Sequence, residues 1–253
     1  MKNIIKMLTV YSLIIASICI TEIPVRAEDN EENIESTAEY NRFDSYEQYV
    51  NDPDYYDPVV SAKREASISK MQDVQAIHPM SVYSKQLSIP HYKQENSYYC
   101  APTSVSIVLK FKTGTYYSQS SLAGSMGTNK GGTYVYQVVN QLNSVLGAGT
   151  YSSYLVNSAS LENAVYTGVN ADYPVICNPR SGKLEGYDDT DSAGHYAAAY
   201  KYQVGWSGTA NYDYMWYFDS YDNGSGAYGN HKISFSDMED AINENTGYFI
   251  AKS

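Results

Sequence analysis

One cysteine stands where it could act as a nucleophile. Cys100 immediately precedes Ala101–Phe111, where Ala101, Val105, Val108 and Leu109 recur at helical spacing and Pro102 fits a first turn. The unpaired amides and partial positive charge at a helix N-terminus favour the thiolate, the reactive form of the side chain. The N–H of Cys100 would point toward the oxygen of any carbonyl its sulfur attacked. Gln94, six residues upstream, carries an amide able to supply a second donor to that oxyanion.

A thiol nucleophile needs a base within hydrogen-bond reach. The chain has four histidines: His78 in a polar stretch, His91 just after Pro90, His231 near the end, and His195. His195 opens an apolar strand after a loop of Gly and Asp, and a histidine at a strand's start can project over a helix packed on the sheet. A third group would orient the imidazole through its other nitrogen. Asp219 closes the aromatic run Tyr214–Phe218, with Asp222 and Asn223 as close competitors in the turn that follows.

The elements that would position these residues fall into two halves. Helices are expected over 101–111, 118–126 (ended by Gly127), 135–146 (stopped by Gly147) and 161–166. The texture then turns to strands over 174–178, 195–204, 212–221 and 248–252, rich in Tyr, Val, Ile and Phe. Ser236-Asp237-Met238-Glu239 reads as a capping box opening one more helix through Ile242. Helices first and antiparallel strands second make an α+β layout. Most of the 28 tyrosines are accounted for by strand propensity.

Upstream, Lys2 and Lys6 precede an uncharged apolar run, Met7–Ile20, and Val25-Arg26-Ala27 offers small residues for cleavage. Residues 1–27 are therefore expected to be a signal peptide, and the mature protein to be secreted and free of the membrane. The net charge of −11 is concentrated: residues 28–58 hold eleven Asp and Glu against Arg42 alone. Residues 28–81 are expected to be an acidic, poorly ordered linker or pro-region, and 82–253 the folded domain. From Val59 onward 13 Lys and Arg face 16 Asp and Glu, a balance that argues against a nucleic-acid partner. Cys19 would leave with the signal peptide, and Cys177, in an apolar run, reads as a small buried hydrophobe. Asp189–Gly194 resembles the start of a calcium loop, but its fifth position holds no ligand and its twelfth is Tyr200. With no zinc spacing and no phosphate-binding glycine loop, no cofactor or metal is expected.

Gln94 through Cys100, followed by Ala101-Pro102-Thr103-Ser104, resembles the active-site segment of the bacteriocin-leader (double-glycine) peptidases and their freestanding secreted relatives. The similarity continues through Tyr117-Ser118-Gln119, Met126–Asn129, Gly132-Thr133, Asp172–Ile176, Gly194-His195-Tyr196 and Phe218–Tyr221. Ala101 stands where relatives commonly have Gly. The resemblance implies a papain-like α+β fold with the nucleophile helix on an antiparallel sheet. It also implies Cys100 as nucleophile, His195 as base, Asp219 as orienting acid and Gln94 as oxyanion donor, acting on a peptide or protein substrate. The expected activity is that of a secreted cysteine peptidase. A peptidoglycan amidase or transamidase would use the same machinery, and an inactive cell-surface binding module would keep the fold without turnover.

Overall fold

A computed structural model describes residues 82–157, 159–207 and 211–253. The expected signal peptide at 1–27, the acidic segment at 28–81 and His78 lie outside the described residues. In chain order these hold β1 (Val82–Gln86), α1 (Cys100–Thr113), α2 (Gln119–Met126), α3 (Val135–Leu146) and β2 (Tyr151–Leu155). They continue through α4 (Leu161–Asn170), β3 (Val175–Cys177), a 3₁₀ turn (Ser181–Lys183), β4 (Ala197–Trp206) and β5 (Asn211–Asp219), and close with β6 (Gly229–Ser234), α5 (Phe235–Asn243) and β7 (Tyr248–Lys252). Among the described residues no helix is long and apolar enough to cross a membrane.

The helix limits have local causes. Ser118, Ser160 and Ser234 accept the backbone N–H three residues on, at 3.3, 3.2 and 3.0 Å, and so cap α2, α4 and α5. The last of these corrects the expected capping box. Ser234 has the extended backbone of an N-cap, and the helix starts at Phe235 rather than after Ser236. Helix α1 ends at Gly114, whose φ of 74° lets its N–H reach back to Lys110 O at 2.9 Å. Helix α4 runs four residues beyond the expected end at Tyr166. Gly168 continues it because the chain folds back there, Tyr173 N–H donating to Gly168 O at 2.8 Å.

All strand pairings are antiparallel, in the order β2-β7-β3-β4-β5-β6. Along one edge β4 serves two partners. Strand β3 pairs with Ala197–Ala199, and β1 takes over along Lys201–Gly205. Between them the register against β5 shifts at Tyr200, whose carbonyl accepts Leu87 N–H at 2.9 Å.

Period-two alternation splits the interior into two layers. Ile176 and Ile250 face Val105, Val108, Leu109, Val138 and Leu142 of α1 and α3. Their strand neighbours Val175, Cys177, Phe249 and Ala251 face Leu161, Val165, Met238 and Ile242 of α4 and α5. Helix α1 is buried from Cys100 to Leu109. Its small polar residues are satisfied within the fold: Thr103 donates to Gln119 Oε1 (2.7 Å), Ser104 to Tyr196 O (3.2 Å) and Ser106 to Tyr117 O (2.7 Å). The result is a papain-like α+β arrangement, with the cysteine-bearing helix packed on an antiparallel sheet.

Candidate active site

Cys100 is the first residue of α1, and the preceding Tyr99 gives no side-chain cap. The first turn of α1 therefore has no side-chain acceptor from Tyr99, and its N–H donors beside the thiol are those of Cys100 and Ala101, since Pro102 has none. The α1 helix is held against the start of β4 by the Ser104–Tyr196 bond, and His195 lies next to that anchor. His195 sits two residues before β4, its N–H donating to Pro179 O at 2.9 Å. Asp219, the last residue of β5, lies opposite Gly229 of β6.

The β4–β5 pairing brings Asp219 to His195, with Nε2 3.0 Å from Oδ1. Both are buried, Asp219 completely. A carboxylate can only accept, so Nε2 carries the proton, and Nδ1 is the nitrogen left to exchange a proton with Cys100. Burial by itself lowers the basicity of His195. The charge and hydrogen bond of Asp219, together with the neighbouring Cys100, more than offset it and raise the pKa to about 10. A buried carboxylate of this kind is stable only if well bonded. Asp219 accepts also from Tyr221 N–H at 2.8 Å and from the Tyr187 hydroxyl, 3.1 Å from Oδ2 and 3.3 Å from Oδ1.

The competing residues are occupied elsewhere. Asp222 pairs with Lys93 at 2.8 Å, and Asn223 donates to Gly186 O at 2.8 Å. His231 bonds Glu185 and Ala227 O, and His91 stacks on Phe218 with ring centroids 4.5 Å apart. Cys177 is fully buried in β3, where burial pushes its thiol far up.

Gln94 is buried in the loop leading to Cys100. Its Nε2 lies 2.9 Å from Asn96 O and 3.1 Å from Ser97 O, and its Oε1 accepts from Ser220 at 3.1 Å. To donate to an oxyanion, the amide must free one hydrogen, either by displacing a carbonyl or by letting the two carbonyls share the other.

Cys100 lies where two open cavities meet. One is walled by the Gly131–Val135 segment, Asn178, Tyr196, Asn245 and Tyr248. The other is lined by Ser97, Tyr98, Ser181, Tyr187, Asp191, His195 and Tyr221. The first wall is pinned by the Tyr196 hydroxyl, which donates to Thr133 O at 2.9 Å. Gly194, which borders both cavities, is packed so closely that a Cβ there would meet the Asn245 side chain at 2.9 Å. Chain can thus pass on both sides of the thiol, as an extended substrate requires.

The sequence carried no signal for Tyr187. It is one of 28 tyrosines, and it lies in a polar loop eight residues before His195.

Residues 86–247 match the family described as Peptidase_C39 like. A search of curated proteins finds no match. Among solved structures, the peptidase domain of Streptococcus ComA, a bi-functional ABC transporter involved in a quorum sensing pathway, is 19% identical. It covers 66% of this chain and 99% of its own, with a TM-score of 0.41. A double glycine motif protease from an AMS/PCAT transporter, solved in complex with the leader peptide, is 13% identical over 66% and 91% of the two chains, with a TM-score of 0.41. Recombinant stem bromelain precursor is 13% identical over 75% and 72%, with a TM-score of 0.47.

Proposed function

Given that the chain belongs to the Peptidase_C39 like family, we propose that it is a cysteine peptidase that cleaves an extended peptide through a Cys100 thioester. The observation that carries the proposal is the hydrogen bond from His195 to the buried Asp219, beside Cys100 where two cavities meet. His195 Nδ1 takes the thiol proton, and the imidazolium is held by Asp219. The thiolate attacks the scissile carbonyl carbon, and the N–H of Cys100, with Gln94, receives the oxyanion. Collapse of this intermediate breaks the C–N bond as His195 passes its proton to the leaving amine. Water then gives a proton to Nδ1 and attacks the thioester, releasing the acid and restoring the thiol. The leader-like residues 1–27 support action outside the cell.

The test is alkylation of each cysteine by iodoacetamide against pH, read by mass spectrometry, followed by digestion of a peptide mixture. Cys100 is expected to label fast well below the ordinary thiol pKa of about 8.5, and to lose that reactivity in His195→Ala. New N-termini are expected with the unchanged chain and not with Cys100→Ala. Slow labelling that ignores His195 would overturn the proposal. Fast labelling without peptide cleavage would move the substrate to another amide.

A further inference from the structure

We infer that Tyr187 is a positioning residue of this site, whose hydroxyl fixes the carboxylate of Asp219 and whose ring packs beside the imidazole of His195. The inference rests on the peptidase proposal for its purpose, and on independent geometry for its content. Asp219 Oδ1 accepts from His195 Nε2 and Tyr221 N–H, and the Tyr187 hydroxyl lies farther from it, at 3.3 Å, than from Oδ2. Oδ2 is the free end of the carboxylate, and the Tyr187 hydroxyl is bonded to it at 3.1 Å. With that bond made, the plane of the carboxylate is set, and Oδ1 stays aimed at Nε2. The same hydroxyl is 3.4 Å from Nε2, and the Tyr187 ring lies 5.6 Å from the imidazole, centroid to centroid. On its other side it stacks at 6.2 Å on Tyr221. Tyr187 thus lines the second cavity beside His195, with Asp219 behind them.

The backbone beneath Tyr187 is fixed as well. Gly186 has φ +85° and lies so close to Ala227 that a Cβ would collide with the Ala227 backbone, while its carbonyl accepts from Asn223 at 2.8 Å. Burial and the adjacent Asp219 charge keep the phenol protonated and therefore a donor. A tyrosine that merely filled space would need neither this anchored backbone nor a hydroxyl aimed at the open carboxylate oxygen.

Tyr187→Phe keeps the ring and removes only the donor, and two measurements read the effect. The first is the low-field proton NMR signal of His195 Nε2–H, assigned by its loss in His195→Ala. The second is the rate of Cys100 alkylation at neutral pH. In the unchanged chain the signal is expected to be sharp and slow to exchange. In Tyr187→Phe it is expected to move upfield and broaden, with alkylation of Cys100 falling roughly tenfold, the scale of one hydrogen bond to a charged group. A Tyr187→Phe chain with an unchanged signal and unchanged alkylation would overturn the inference, even if its melting temperature fell. Failure of the peptidase proposal is distinguishable, since it would show in the unchanged chain, as slow Cys100 labelling or as fast labelling without peptide cleavage.

Discussion

At the scale of residues, the site depends on keeping one proton on a buried imidazole. His195 is lifted from 6.5 to about 10: burial opposes its charge, and Asp219 with Cys100 outweighs it. Because the folded-state pKa is the higher one, the stabilisation is fully present below about pH 6.5 and is lost as pH rises through about 10. Asp219→Asn is therefore expected to lose most stability relative to the unchanged chain below pH 6.5, with the gap closing toward pH 10. Urea unfolding across that range measures it, and a gap independent of pH would show that Asp219 does not hold the proton. Cys100 stands out as a candidate in the sequence because a helix start, an apolar period and an upstream Gln converge on it. Asp219 is one of three candidates within five residues, and only the sheet register sets it beside His195. Tyr187 gave no signal for the same reason: its partner lies 32 residues on, beyond β4 and at the end of β5.

Helix termini make the clearest contrast at the scale of elements. Helices α2, α4 and α5 each begin with a capping serine, whereas α1 begins without a side-chain cap. Pro102 removes the N–H at the third helical position, so the first-turn donors of α1 are those of Cys100 and Ala101. Tyr99→Asp would place negative charge beside Cys100 and is expected to raise the pH midpoint of iodoacetamide labelling by about half a unit. A midpoint that stayed put would mean that the helix end does not tune the thiol. The helices were readable from their 3.6-residue period and their glycine stops. Three strands were not. β1 is largely exposed, and β6 is a short polar edge strand. β2, Tyr-Ser-Ser-Tyr-Leu, buries Ser152 and Ser153, so neither alternation nor propensity marks it. Ser152 is tolerated there because its hydroxyl meets that of Ser253, just past β7 and 101 residues on, at 2.6 Å.

For the molecule as a whole, every buried core residue among those described lies at or beyond Leu87. A chain beginning at Val82 is accordingly expected to fold, with a cooperative thermal transition like that of the full chain. Failure to fold would show that residues upstream of Val82 carry structural contacts. The two interior layers also divide the two thiols of this region. Cys100 lies with the α1–α3 layer at the cleft, whereas Cys177 lies in the other layer, fully enclosed and held as the neutral thiol. Peroxide that reached Cys100 would oxidise it to a sulfenic acid, and a second thiolate is the usual means of trapping that species as a recoverable disulfide. Cys177 cannot supply it, being enclosed and not ionised. Among the described residues Cys100 therefore has no resolving partner, and its recovery from peroxide is expected to need an added thiol, read as the return of iodoacetamide labelling.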